Sequence, residues 1–264
     1  MSRTRKIVIA VCALLVLGVG GVYAFILLRD DAPEALDTGD LDAALNATTA
    51  PDAPDAAVET TAAPPATEPA AATTAPAADT TAAPTTAAAT SDVSGVWNIS
   101  QDSTLGYRVS EVLGGVDTEG AGRTNQVTGT LTIDGSTATA AEFTVDMASI
   151  TSDSDLRDGQ FRTRIMSTDE FPTSTFVLTT PIEFGAVPAE GEQITASATG
   201  DLTLRGVTRS VTFDLTAQLE GGRIGVLGSI PILFSDYEIP DPSNGFAVVK
   251  DDGLLEFVLV FDKA

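Results

Sequence analysis

The residues best suited to chemistry lie in one charged stretch, DLRDGQFRTRIMSTDEFP, from Asp155 to Pro172. Arg157 and Arg164 could bind an anionic head group, because a guanidinium presents several donors to a phosphate or carboxylate. The same arginines could instead pair with neighbouring acids such as Asp153 and Asp169. From the residues alone, ligand binding and local ion pairing both stay open.

Composition limits catalysis and metal binding. The chain has no histidine, so a Ser-His-Asp triad is excluded. Its one cysteine, Cys12, lies in an apolar N-terminal run, which leaves the rest of the chain without a disulfide or a Cys-based metal site. Paired carboxylates, Asp169/Glu170 or Asp236/Glu238, could perform acid–base work. A hydrolase or isomerase therefore stays as one alternative.

Phosphate-binding functions are disfavoured. The chain of 264 residues carries a net charge of −23, whereas nucleic acids are bound by lysine and arginine. The glycine-rich run GGVDTEGAGRT, Gly114 to Thr124, lacks the Lys-Ser/Thr ending of a phosphate-binding loop. We expect it to be a mobile hairpin loop.

Helical spacing in the charged stretch indicates what positions its arginines. Ser154 or Asp155 can cap a helix, and Phe161 and Ile165 fall on one helical face. The helix should end before Phe171-Pro172, because the residue before a proline disfavours helical geometry. A single short helix between strands is most simply a lid whose apolar side covers one end of a barrel.

Alternating apolar and polar residues predict eight or nine strands around this helix. The segments lie near residues 96–100, 105–112, 124–133, 137–147, 174–182, 193–204, 207–219, 223–234 and 254–262. One apolar and one polar face indicate an antiparallel sheet, closed as a sandwich or a barrel. The last strand is an exception, since Val258 and Val260 make it apolar on both faces.

Small residues on the predicted inward faces favour a hollow barrel. They are Gly129, Ala141, Ala196, Ala198, Gly200 and Gly228. An eight-stranded barrel can be filled by its own side chains or can hold one small ligand. The small residues leave room for a ligand, although they could equally let a second sheet or a helix approach closely.

A membrane anchor is predicted in residues 1–29. Residues 7–28 are uncharged, mostly apolar and long enough to cross a bilayer as a transmembrane helix. Basic residues precede them, so the positive-inside rule places the remainder of the chain outside the cytoplasm. A cleaved signal peptide is the alternative, with Val22 and Ala24 at the cleavage site. Both interpretations give an extracytoplasmic domain, at the cell surface or in a periplasm-like space.

A disordered linker is predicted from residue 30 to residue 92. It consists mainly of Ala, Thr, Pro and acids, with no aromatic residue, lysine or arginine. Such a segment cannot bury enough apolar surface to offset its ordering entropy. We expect it to space the folded domain, residues 93–264, from the membrane.

Three stretches of the folded part resemble the YceI-like family, also called polyisoprenoid-binding domains. Residues 145–178 resemble its strand, charged helix, Phe-Pro and strand arrangement, and residues 200–215 resemble its G-x-L-T-x-x-G-V-T-R/K-x-V hairpin. GTLTIDG at 129–135 fits more loosely. Many relatives carry histidines in the first strands, where DSTLGYRVSE has Asp102 and Glu111 instead.

The resemblance implies an all-β, lipocalin-like, antiparallel eight-stranded β-barrel that binds a long isoprenoid, either a polyprenyl lipid or an isoprenoid quinone. The expected function is non-enzymatic storage or transport of that lipid, without a metal or other cofactor. An adhesion domain without a lipid ligand is the alternative, and a homodimer stays open. The predicted lipid contacts are Val127, Gly129, Phe143, Val145, Phe176, Leu178, Ala196, Ala198, Phe213 and Leu215. The head-group candidates are Arg108, Arg157 and Arg164.

Overall fold

The computed structural model describes residues 32–47, 92–245 and 247–264. The predicted anchor and residues 30–31 and 48–91 of the predicted linker lie outside these ranges. Within them, no helix has the length and apolar character needed to cross a membrane.

Antiparallel strands form almost the whole described domain. They are β1 Gly95–Ile99, β2 Thr104–Leu113, β3 Val116–Thr124, β4 Val127–Asp134, β5 Thr137–Asp146, β6 Thr151–Ser152, β7 Thr173–Thr180, β8 Ile182–Glu183, β9 Gln193–Leu204, β10 Val207–Glu220, β11 Arg223–Leu233, β12 Ala247–Val249 and β13 Asp252–Lys263. The helices are α1 Thr38–Leu45 and α2 Asp155–Gln160, the latter continued by a π-helical turn, Phe161–Ile165.

The sheet closes into a barrel of eight long strands. β1 and β2 are two halves of one strand along β13, and β3 and β4 are two halves of the next. From there the order is β5, β7, β9, β10, β11 and β13, each paired with its neighbour. Because β13 also pairs with β1 and β2, the ring is complete. The predicted eight-stranded barrel with one short helix is confirmed, and the sandwich alternative is wrong.

A serine side chain bridges the break between β1 and β2. Ser103 is fully buried, and its hydroxyl accepts from the Val260 amide at 2.9 Å and lies 3.3 Å from the Val260 carbonyl. The hydroxyl thereby gives the Val260 amide an acceptor, while the Val260 carbonyl also accepts from the Ser100 amide at 2.7 Å, since buried backbone groups require partners.

The glycine-rich run from Gly114 to Thr124 is a strand, which corrects the predicted mobile loop. Only Gly114 and Gly115 form the turn, both with positive φ, as tight hairpins of two residues require. β3 then pairs with β2 along its whole length, from Val116 opposite Leu113 to Thr124 opposite Leu105.

Part of the predicted disordered linker is ordered and lies against the outside of the barrel. Helix α1 begins with a capping box between Asp37 and Asp40. Its Leu41 and Leu45, exposed by 0% and 4%, pack on the outer faces of Val258 and Val260. The prediction failed for residues 32–47 because the doubly apolar last strand supplies the surface that the segment cannot form alone.

Candidate ligand-binding cavity

Among the described residues, a larger and a smaller cavity lie inside the barrel. The upper chamber, beneath residues 155–165, has a volume of about 300 Å³. The lower chamber, at the end bordered by residues 182–188, has a volume of about 110 Å³. Both are largely apolar, as expected of a site that takes a hydrophobic ligand.

The upper chamber is lined mainly by aliphatic and aromatic side chains. They include Leu105, Tyr107, Val109, Val145, Ile150, Leu202, Leu204, Ile232, Phe234 and Leu255. Leu156 also lines it and is 72% exposed, so the chamber reaches the surface beside α2.

The predicted lid is confirmed. Ser154 caps α2 by accepting from the Arg157 amide. The π-helical turn, in which the Met166 amide donates to the Phe161 carbonyl at 2.8 Å, carries Phe161 and Ile165 over the chamber. Such turns are often found at functional sites.

Tyr107 supports the lid from the barrel wall. Its ring stacks on Phe161 with the centroids 5.1 Å apart. The pKa of the Tyr107 phenol is raised to about 12, mainly by burial. The charge of Arg157 acts to lower this pKa, and three nearby carboxylates act to raise it. The hydroxyl therefore stays protonated and neutral at physiological pH.

An ion pair forms the polar part of the opening. Arg157 donates to Glu111, 3.0 Å away, and also pairs with Asp153. Glu111 is buried although its neighbours on the same strand face are apolar. The Arg157 side chain crosses Gly120, where an added Cβ would lie only 3.2 Å from the guanidinium.

Phenylalanines separate the two chambers. Phe143, Phe176, Phe213 and Phe257, which we call the phenylalanine cluster, project from β5, β7, β10 and β13. Their centroids are 5.0 Å apart for Phe143–Phe176, 5.6 Å for Phe176–Phe213, 5.8 Å for Phe213–Phe257 and 6.3 Å for Phe143–Phe257. Phe143 and Phe257 line both chambers.

Most of the predicted lipid contacts face the interior. Val145 lines the upper chamber and Phe143 lines both. Those that line the lower chamber alone are Phe176, Leu178, Ala198, Phe213 and Leu215.

Three predicted contacts line neither chamber. Val127 is buried in the surrounding core, and Ala196 is half-buried against it. Gly129 faces the backbone of Phe143, where a Cβ would lie 2.7 Å from the Cα. These three assignments are not supported by the geometry.

Inward small residues leave less space than expected. Ala141 and Ala198 do line the lower chamber. At Gly200 and Gly228, however, rings of the phenylalanine cluster occupy the space, and an added Cβ would lie 2.4 Å from Phe176 and 2.5 Å from Phe257.

Among the head-group candidates, only Arg157 lines the cavity. Arg108 is on the outer face, because it alternates with the inward Tyr107 and Val109. It is buried beside Glu256 and donates to the Pro33 carbonyl at 2.6 Å. The structure therefore places Arg108 outside both chambers, in an ion pair on the outer face of the barrel.

Arg164 has a structural role. It donates to the carbonyls of Asp241 and Pro242, at 2.9 and 2.7 Å, and lines neither chamber. It thereby ties the lid to the segment before β12. The acid pairs Asp169/Glu170 and Asp236/Glu238 are exposed and also line neither chamber.

Glu111 and Tyr107 were missed as site residues. Alternation along LGYRVSEVL puts both on the inward face with Leu105, Val109 and Leu113. A lone carboxylate on an apolar face indicates a buried partner, which here is Arg157.

The chain is similar to several known structures, and the first of those named here shares its fold. A polyisoprenoid binding domain from Saccharophagus degradans, implicated in plant cell wall breakdown, is 21% identical with a TM-score of 0.53, over 64% of this chain and 98% of that one. BcnA from Burkholderia cenocepacia is 25% identical with a TM-score of 0.48, over 61% and 98%. The YCEI protein of Campylobacter jejuni is 16% identical with a TM-score of 0.39, over 52% and 82%.

No match was found among the curated proteins. The profile of the YceI-like domain matches residues 97–261, more than half of the chain, and the chain therefore belongs to the YceI-like domain family.

Proposed function

We propose that the domain binds an isoprenoid lipid, with the prenyl chain in the upper chamber and the head group at the opening beside α2. The observation that carries this proposal is an apolar chamber of about 300 Å³, covered by a lid and bordered by a buried ion pair. The polyisoprenoid binding domain from Saccharophagus degradans, which has the same fold, supports the choice of ligand class.

The gain from burying a prenyl chain is large enough for stable binding. Each buried carbon contributes roughly 0.8 kcal/mol, so about ten of them give about 8 kcal/mol before the cost of immobilising the chain. Apolar walls supply this energy without selecting a particular chain, so selectivity for the head group must come from the opening.

The charges at the opening favour a neutral head group. Arg157 already pairs with Glu111 and Asp153, and the buried Asp158 lies on the same helix. The positive charge of Arg157 is therefore already compensated by two carboxylates, which opposes the binding of a phosphate beside it. The hydroxyl of a prenol or the carbonyl of a quinone meets no such repulsion.

The function we propose is carriage or storage rather than catalysis. Residues 7–28 would hold the chain at a membrane, with the barrel on the extracytoplasmic side. That position would let the opening exchange lipid with the bilayer. The support for this arrangement comes from the apolar N-terminal segment and its basic flank.

Extraction of the full chain tests the ligand class. The protein is purified from membranes in a mild detergent, extracted with organic solvent and analysed by mass spectrometry. We expect a prenyl lipid with a neutral head group at near-stoichiometric amounts. Recovery of phospholipid alone, in the proportions of the surrounding membrane, would contradict the proposal.

Competition tests the head group. Farnesol and farnesyl phosphate are compared as competitors of a photoreactive prenol, with the full chain in lipid nanodiscs. Farnesol should compete at least about tenfold better, because the phosphate meets the excess of carboxylates. Stronger competition by the phosphate would overturn the neutral-head assignment.

A further inference from the structure

The phenylalanine cluster closes the passage between the chambers. Its rings come from four of the eight barrel strands and meet in a ring of successive contacts across the interior, with centroids 5.0 to 6.3 Å apart. This spacing is that of directly packed aromatic rings. A chain in the upper chamber therefore meets a wall of rings before it reaches the lower one.

Neighbouring strands are shaped to hold these rings in place. The Phe176 ring lies over Gly200 of β9, and the Phe257 ring lies over Gly228 of β11. A methyl group at either glycine would fall within 2.5 Å of a ring atom. Phe213 is paired with Ala198, another small residue. Each of these three rings thus packs against a small residue on the neighbouring strand, as aromatic side chains often do over strand glycines.

The volumes then set the length of chain that fits. A methylene group takes up about as much space as a water molecule, about 30 Å³. The upper chamber, at about 300 Å³, therefore holds roughly ten carbons, or two isoprene units. The lower chamber, at about 110 Å³, adds roughly one unit only if the rings move.

We propose that Phe143, Phe176, Phe213 and Phe257 form a gate that fixes the length of prenyl chain the barrel accepts. With the gate closed, the upper chamber alone is filled, by about two units. Rotation of one or two rings joins the chambers and admits a longer chain. The inference rests on the proposed function, because it assigns a chain length to the ligand of the same cavity.

Chain-length dependence in the unaltered protein is the first test. The full chain in lipid nanodiscs is titrated with prenols of two, three and four isoprene units that carry a diazirine on the last unit. Labelled peptides are mapped by mass spectrometry. The two-unit probe should label upper-chamber residues such as Ile232, and the four-unit probe should label at least about tenfold less at equal concentration.

Opening the gate is the second test. Phe213→Ala should raise labelling by the four-unit probe by about tenfold or more and move it to lower-chamber residues such as Leu131 and Ile224. The ratio of four-unit to two-unit labelling should therefore rise by a similar factor. Tyr237→Ala is the matched control, because it removes a buried ring that lines neither chamber.

The outcomes separate the gate from the proposed function. If no probe labels the unaltered protein or Phe213→Ala, prenyl binding itself is wrong. If the four-unit probe labels the lower chamber of the unaltered protein as strongly as the two-unit probe labels the upper one, binding stands and the gate is wrong. Should Phe213→Ala fail to fold, Phe257→Leu makes a smaller opening, and unchanged labelling in it would also refute the gate.

Discussion

The upper and lower chambers share strands β5, β7, β9, β11 and β13, yet only the upper one combines apolar walls with a charged border and a covering helix. It reaches the surface at Leu156, it has a polar border at Arg157 and Glu111, and a helix covers it. The lower chamber is smaller and almost wholly apolar, and residues 182–188 border it. The difference indicates that a binding site needs a polar border and a covering element in addition to apolar space.

The largest effect should come from filling each chamber with the same substitution. Val109 lines the upper chamber and Val226 the lower one, and both are half-buried. Val109→Trp should weaken binding of a two-unit prenol by about a hundredfold or more, because the indole takes the volume of the chain. Val226→Trp should leave that affinity within about threefold.

Photolabelling titrations of the two variants measure this difference. Val177→Trp, on the exposed outer face of β7, controls for the added tryptophan. Equal losses in Val109→Trp and Val226→Trp would remove the distinction between the chambers.

Alkaline pH should destabilise the fold through Tyr107, which lines the upper chamber. Its pKa is raised to about 12 by burial, whereas an unfolded chain titrates near the ordinary value of 10.0. Below pH 10 the phenol is neutral in both the folded and the unfolded state, so its titration does not change the free energy of unfolding there. Between pH 10 and 12 only the unfolded state ionises, and the free energy of unfolding should fall by about 2–3 kcal/mol.

Urea unfolding from pH 8 to 12, followed by the fluorescence of the single tryptophan, Trp97, measures the loss. Tyr107→Phe removes the group while keeping the stacking on Phe161, and its curve supplies the contribution of all other titrating residues. Superimposable pH profiles for the two proteins would show that Tyr107 is exposed in solution and that the lid does not cover it.

A smaller effect is expected at the polar border of the upper chamber. Glu111→Gln keeps the shape of the side chain but removes the buried charge that faces Arg157, so the free energy of unfolding should fall by about 1–2 kcal/mol. Glu119→Gln is the matched control, since Glu119 pairs with Arg108 at 2.7 Å but its side chain is 52% exposed. Its effect should stay below about 0.5 kcal/mol.

Urea unfolding at neutral pH compares the two glutamine variants. If Glu119→Gln proved as damaging as Glu111→Gln, burial would not be what distinguishes the opening from the outer surface.

Local pattern predicted the barrel well because alternation is a property of each strand by itself. It missed β3, whose glycines and acids hide the alternation, and it missed α1, whose leucines pack on a strand far along the chain. The doubly apolar β13 did indicate a covering element. Nothing local shows which segment provides it, so residues 32–47 were wrongly included in the disordered linker.

The site was predicted only in part, because alternation along one strand does not show which side chains of distant strands meet. The inward phenylalanines follow from alternation, but their mutual contact joins strands as distant as β5 and β13 and needs the closed barrel. Gly200 and Gly228 suggested empty space, whereas rings from neighbouring strands fill it. Arg108 lies on the outer face, and its alternation with the inward Tyr107 and Val109 could have indicated this from the sequence.

The smallest effect should come from filling the lower chamber with an aliphatic side chain. Ala141 lines that chamber and is half-buried on β5, opposite Leu131. Ala141→Leu adds three carbons to a cavity of about 110 Å³, so we expect stabilisation by up to about 1 kcal/mol in urea unfolding. Affinity for a two-unit prenol should not change, because that chain stops at the phenylalanine cluster. Loss of stability would mean that the chamber is too rigid to accept a side chain, and loss of two-unit binding would mean that the ligand already extends past the rings.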